Sequence, residues 1–220
     1  MRRHLVIAID GPAATGKGTL AAGLAGKLGL VHRETGRLYR AVGLSLLESG
    51  FDPRSSTDAG RCARQLNERL LSDPRLNSET VARIGSLAAV HSEVRAALLA
   101  LQRAWCDDVP DGCHGVVLEG RDIGSVVCPD ADLKLYLIAD LGVRALRRAA
   151  QLGTHADPSE VAAQLVARDR RDLAQPGAQR PDSPGVHVID TSLLDADTVL
   201  GAALALVASL RPRPGLGRRQ

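Results

Sequence analysis

Nine consecutive residues near the amino end have the types and spacing to do chemistry: Gly11, Pro12, Ala13, Ala14, Thr15, Gly16, Lys17, Gly18 and Thr19. A glycine-containing turn between an apolar run and a helix lets successive main-chain N–H groups point inward at phosphate oxygens. The helix that follows adds the positive end of its dipole, and a lysine at this offset supplies a point charge for the β- and γ-phosphates. That chemistry is the binding of a nucleoside triphosphate such as ATP. Position 18 is Gly where the strict pattern has Ser or Thr. Thr19 is then the next hydroxyl able to hold Mg2+, directly or through water. A GTP switch would also carry a guanine-reading Asn-Lys-x-Asp, but the only asparagines, Asn67 and Asn77, are not followed by Lys.

Transfer of phosphate to an acceptor that itself bears a phosphate demands further cations. Three groups of residues offer them. The first is E-T-G-R-L-Y-R at 34–40, with Glu34, Thr35 as a helix N-cap, and Arg37 and Arg40 three residues apart on one helical face. The second is E-G-R-D-I-G at 119–124, which brings Arg121 and Asp122 to the carboxyl end of an apolar run. Ligands gather at such ends in open α/β sheets. The third comprises Arg144, Arg147 and Arg148 at i, i+3, i+4 spacing, and Arg168 with Asp172 one turn further along.

The elements that must position these residues alternate in type. Apolar runs without polar alternation at 4–10, 115–118, 133–138 and 186–189, with a short one at 30–33, predict strands covered on both faces. Helical patterns fill the intervals at 19–28, 35–48, 58–71, 79–105 (broken near His91), 141–152, 158–174 and 195–210. Short strands alternating with longer helices predict βαβ units around a parallel sheet. The Pro-, Gly- and Gln-rich stretch 175–185 and the basic tail 211–220 read as mobile.

Length and composition narrow the classes. A chain of 220 residues fits one domain, or one core domain with a small insertion, and can bury a sizeable core without a metal or disulfide staple. No run approaches the ~20 apolar residues of a membrane span. Asp10 cuts the apolar run after Arg2 and Arg3 too early for an export signal. The formal charge of +3 gives no bulk electrostatic argument for nucleic acid, and four aromatics are few for base stacking. The four cysteines, Cys62, Cys106, Cys113 and Cys128, have no C-x-x-C spacing, so the expectation is reduced thiols in a cytoplasmic protein. Nothing in the sequence demands a dimer, and monomer is the default.

Taken together, these segments resemble bacterial cytidylate kinase, of the P-loop nucleoside monophosphate kinases. The matching runs are G-P-x-x-x-G-K-G-T, E-T-G-x-x-Y-R, S-x-x-A-x-x-x-x-V-R from Ser86 to Arg95, E-G-R-D-I-G-S-V-V-x-P-D-A, R-D-x-x-D at 168–172 and I-D-T-S at 189–192, in that order and up to about residue 210. The resemblance implies a three-layer α/β sandwich with a five-stranded parallel sheet, a monophosphate-binding region over about 34–105 and a lid over about 141–185, all within one kinase domain. It implies ATP- and Mg2+-dependent phosphorylation of CMP and dCMP to CDP and dCDP, with no nucleic acid or membrane partner. Residues 11–19, Arg144 and Arg148 would bind ATP. Glu34, Thr35, Arg40, Ser86, Arg95, Arg121, Asp122, Arg168 and Asp172 would bind the acceptor, with Lys17, Arg121 and Arg168 catalytic.

The chain departs from that pattern at several points. Glu34 stands for the usual Asp, Gln175 for a phosphate-binding Arg that nearby Arg180 could replace, and Ser183-Pro-Gly185 for the usual x-x-D-A. The insertion between Leu66 and Glu79 is too short for the strand pairs the family often carries, which points to looser base and sugar selection. The alternatives are a kinase of UMP or AMP and a non-catalytic nucleotide- or nucleic-acid-binding protein.

Overall fold

A computed structural model describes residues 4–153 and 157–210. The tail at 211–220 and Arg2 and Arg3 lie outside the described residues. The chain divides into two compact units, one formed by Met1–Arg33 with Cys106–Gln220 and the other by Glu34–Trp105.

The first unit is built on a five-stranded sheet in the order β2-β3-β1-β4-β5. Its strands are β1 (Leu5–Asp10), β2 (Leu30–Glu34, whose last residue falls in the other unit), β3 (Gly115–Gly120), β4 (Leu133–Ile138) and β5 (Val186–Asp190). The β1–β3, β1–β4 and β4–β5 pairs are parallel. Odd-numbered β1 residues face one side, where Ile7 and Ile9 pack with Leu20 and Leu24 of α1 (Lys17–Leu28) and Val199 and Ala203 of α8 (Ala196–Ser209). On the other side Val6, Ala8, Val116 and Leu118 are also almost wholly buried. Burial on both faces is why β1 and β3 read as unbroken apolar runs; the expectation fails for β5, an edge strand in which His187 and Val188 are exposed. Two more helices, α6 (Leu141–Leu152) and α7 (Pro158–Leu173), pack against each other and against Ala13 through Ala145, Ala149, Val161 and Leu165.

The second unit is helical after the end of β2. It holds α2 (Gly36–Ser49), α3 (Ser56–Arg64), α4 (Glu79–Ala88) and most of α5 (Ser92–Asp107), whose last two residues belong to the first unit. The break near His91 falls where expected. The predicted helix over 58–71 does not run that far: α3 ends at Arg64, and two short 3-10 turns follow at Glu68–Ser72 and Pro74–Asn77. Asn67 and Asp73 each accept a hydrogen bond from the backbone two residues on, which restarts the chain as tight turns. No strand occupies this shortened insertion.

Two further expectations, the Thr35 cap and the reduced thiols, are corrected. Thr35 precedes α2 but makes no side-chain cap bond, because its own backbone is already helical (φ −65°, ψ −24°). Arg37 and Arg40 take different partners: Arg37 donates to the Leu71 carbonyl at 2.8 Å, and Arg40 lies 4.0 Å from Glu34. Cys106 and Cys128 are joined in a disulfide, while Cys62 and Cys113 are free. Spacing could not reveal that pair, since the fold brings together positions 22 residues apart. Among the described residues no single helix is long and apolar enough to cross a membrane.

Candidate active site

The loop after β1 has the geometry of a phosphate cradle. Gly16 adopts φ +93° and Ala14 φ +61°, left-handed conformations that turn the backbone inward ahead of α1. Lys17 opens the helix, two residues before the predicted start. Its buried Nζ donates to the Pro12 carbonyl at 2.7 Å, and the Thr15 hydroxyl donates to the same oxygen at 3.0 Å. Burial, reinforced by the positive charges of Arg121 and Arg168, holds the Lys17 amine well below the usual lysine range. An anion arriving here would counter both effects by favouring the charged amine.

Arg121 joins the loop to the opposite wall. It donates through Nη1 to the Gly11 carbonyl and through Nε to Asp172 Oδ2 at 2.6 Å. Arg168, one turn before Asp172 on α7, lies 3.8 Å from the same oxygen. The structure therefore gathers Lys17, Arg121, Arg168 and Asp172, and it gives Asp172 a role as counter-ion to two arginines. A small open cleft here is lined by Gly11, Pro12, Arg121, Tyr136, Asp169, Asp172, Leu173, Ala178 and Gln179.

The segment carrying Arg121 and Asp122 is fixed from beneath by Asp10. Its two carboxylate oxygens accept from the N–H groups of Ile123 and Gly124, each at 2.8 Å. Burial pushes the Asp10 carboxyl up to about 6, partly offset by those two hydrogen bonds. Asp122 itself is buried. The stretch 175–185, read as mobile, is packed against the same segment: Gln179 is buried, its N–H donates to the Arg121 carbonyl at 2.9 Å, and Ser125 donates to the Gly177 carbonyl at 2.6 Å. Its polar composition concealed bonds made to main-chain groups far along the chain. Within this stretch Gln175 donates to the Arg171 carbonyl, and Arg180 is exposed.

On α6 the three arginines part company. Arg144 is buried and donates to the carbonyls of Ala139 (3.1 Å) and Ala13 (3.3 Å) and to Asp169 (2.7 Å). Arg147 donates to the Thr191 hydroxyl and carbonyl at 3.0 and 2.6 Å, and Thr191 in turn donates to the Thr15 carbonyl at 3.0 Å. Arg148 contacts Gln151. Thr191 belongs to the I-D-T-S run at 189–192, and nothing in that run's local pattern signals its part as a clasp on the cradle.

Glu119 was missed as well. It sits at the carboxyl end of β3, opposite Ile9 of β1. A side chain at Gly18 would begin 3.2 Å from its Oε1, so the absent side chain leaves room for a carboxylate beside the first turn of α1. Among the described residues no cluster of three His, Cys, Asp or Glu side chains could cage a metal. Mg2+ needs no such cage, because it keeps several waters and shares one or two protein oxygens with substrate phosphates. The Thr19 hydroxyl and the Glu119 carboxylate fit that donor set.

In the helical unit the remaining candidates lie on or beside α2, α4 and α5. A Cβ on Gly85 would lie 2.5 Å from the Tyr39 carbonyl, and one on Gly43 would lie 2.6 Å from the Gly85 nitrogen. This close approach brings Ser86 on α4 up to the turn of α2 bearing Tyr39 and Arg40, with Glu34 and Thr35 at the start of the same segment. Arg95 lies on the first turn of α5.

Residues 7–209 match the family described as cytidylate kinase. The chain belongs to the cytidylate kinase family. It is 41% identical over 219 residues to a cytidylate kinase of Rhodopseudomonas palustris strain HaA2, covering 98% of this chain and all of that one. A cytidylate kinase of Rhodospirillum rubrum is 42% identical over 207 residues, covering 93% and 97% of the two chains. Among solved structures, an uncharacterised protein from Eubacterium ventriosum shares the fold at 11% identity and a TM-score of 0.50, covering 93% of this chain and 99% of that one. The family's span thus includes every candidate residue named above.

Proposed function

We propose that this protein phosphorylates CMP and dCMP with ATP, yielding CDP or dCDP and ADP. The observation that carries the reading is the convergence of Lys17, Arg121 and Arg168 on one phosphate cradle, in a chain that matches the cytidylate kinase family over residues 7–209. The acceptor's phosphate is already an anion near neutral pH, so no side chain need remove a proton. An acceptor oxygen attacks the γ-phosphorus in line, and the bond to the bridging oxygen breaks as ADP leaves. Catalysis is then positioning and charge neutralisation.

The loop at 11–19 takes the triphosphate, with Lys17 on the β- and γ-phosphates and Arg144 and Arg148 on the ATP side. Thr19 and Glu119 would hold Mg2+, which when bound neutralises charge on the phosphate chain. Arg121 and Arg168 steady the transferring and acceptor phosphates, while Asp122 accepts from the cytosine amino group and Asp172 serves the sugar. In the unit Glu34–Trp105, which serves as the monophosphate-binding region, the residues assigned to the acceptor are Glu34, Thr35, Arg40, Ser86 and Arg95. Residues 141–185 serve as the lid. Buried polar groups of this kind reject a wrong base by being left unpaired.

A coupled ADP-release assay across CMP, dCMP, UMP, AMP and GMP tests the reading. The expected result is highest kcat/KM for the two cytidine nucleotides. Preference for a purine overturns the assignment.

A further inference from the structure

Glu119 brings a carboxylate to the cradle, but a glutamate has three side-chain torsions to fix, and an unheld one spends little time in any single position. The structure shows what holds it. His32 lies on β2, and its Nε2 is 2.8 Å from Glu119 Oε1 across 87 residues of sequence. An ionised carboxylate only accepts, so Nε2 carries the proton and donates. The Glu119 side chain is 9% exposed and that of His32 27%, so the contact is largely shielded from competing water. The same Oε1 is the atom that faces the bare Cα of Gly18, and Glu119's charge is one of those felt by Lys17. A serine or threonine at position 18 would crowd this carboxylate. The missing side chain at 18 and the histidine on β2 are thus two halves of one arrangement.

We propose that His32 is a positioning residue for phosphoryl transfer: it holds the Glu119 carboxylate over the first turn of α1, in the space left by Gly18, ready for the Mg2+ of the bound triphosphate. The proposal rests on the phosphoryl-transfer reading above. It differs from a purely structural tie between β2 and β3, which would contribute to stability and leave metal affinity alone.

Calorimetric titration of the full chain with ADP, once with Mg2+ and once with EDTA, separates the two. His32→Leu is expected to weaken Mg2+·ADP binding about tenfold, the usual consequence of losing a group that orients a metal ligand. ADP binding in EDTA and the KM for CMP stay as they are, and His32→Gln, whose amide can still donate, recovers most of the loss. In a Glu119→Gln background a change at His32 adds nothing further, because the two residues act as one unit. Unchanged Mg2+·ADP affinity in His32→Leu, an equal loss with and without Mg2+, or additive losses with Glu119→Gln overturns the proposal. Should the leucine variant fail to fold, His32→Asn, with an amide too short to reach Oε1, is expected to show the same loss, and wild-type affinity there overturns it. A chain that behaves in this way but phosphorylates no cytidine nucleotide leaves His32's role standing and removes the functional reading instead.

Discussion

Gly43 and Gly85 meet backbone to backbone where α2 crosses α4, so closely that a methyl group on Gly43 would stand 2.6 Å from the Gly85 nitrogen. The contact has no side chain that could rotate away. It fixes how far apart the helices bearing Arg40 and Ser86 can be.

Gly85→Ala should therefore destabilise the protein by about 1–3 kcal/mol, the usual cost of forcing extra atoms into a packed interior. Urea denaturation of the variant checks the loss. The KM for CMP should rise more than the KM for ATP, since the strained helices carry residues proposed to bind the acceptor.

Lys17→Ala should lower kcat at least about a hundredfold, because a preorganised cation aimed at developing charge is worth several kcal/mol in a dry site. Steady-state ADP release measures it. Near-normal turnover would remove the mechanism's central cation.

Arg121→Lys keeps the charge but loses the planar fork that joins the Gly11 carbonyl to Asp172. Each lost charge-assisted bond is worth about 1.5–3 kcal/mol, so kcat/KM for CMP should fall by roughly tenfold to a hundredfold. Wild-type kinetics in this variant would show that the fork is dispensable.

Asp10 gives the stability a pH dependence of definite sign. Its carboxyl is raised from 3.8 to about 6 in the folded protein, so the folded state binds more protons than the unfolded chain between these values. This contribution is fully present below pH 3.8 and is lost as pH rises through about 6. In Asp10→Asn the contribution vanishes. The difference in unfolding free energy between wild type and variant should shift against the wild type from pH 4 to pH 7, followed by denaturation across that range.

What could be read without a structure lay contiguous in the chain, though contiguity alone did not suffice: α3 stops at Arg64 and Thr35 makes no side-chain cap bond. The strand, glycine turn and lysine of 5–17 are neighbours in sequence, and both the element and its chemistry follow from local pattern. The break at His91 was legible for the same reason. Partnerships across long separations were not. His32 and Glu119 are 87 residues apart, Thr191 and Thr15 are 176 apart, and Asp10 and Gly124 are 114 apart. None has a spacing that announces it. Gln179 misled in the opposite sense: a stretch of Pro, Gly and Gln has the composition of a loose loop, yet its backbone N–H docks on the Arg121 carbonyl. Composition reports what a segment can do alone, and this one is held by a partner 58 positions back.

The bond between Cys106 and Cys128 makes a closed covalent ring of β3 and the run from Glu119 to Gly124. Inside that ring lies an exposed turn containing Asp108 and Asp111. A protease specific for aspartate that nicks this turn should yield two fragments that still travel as a single band on a gel, and that separate only when a reductant is added to the sample.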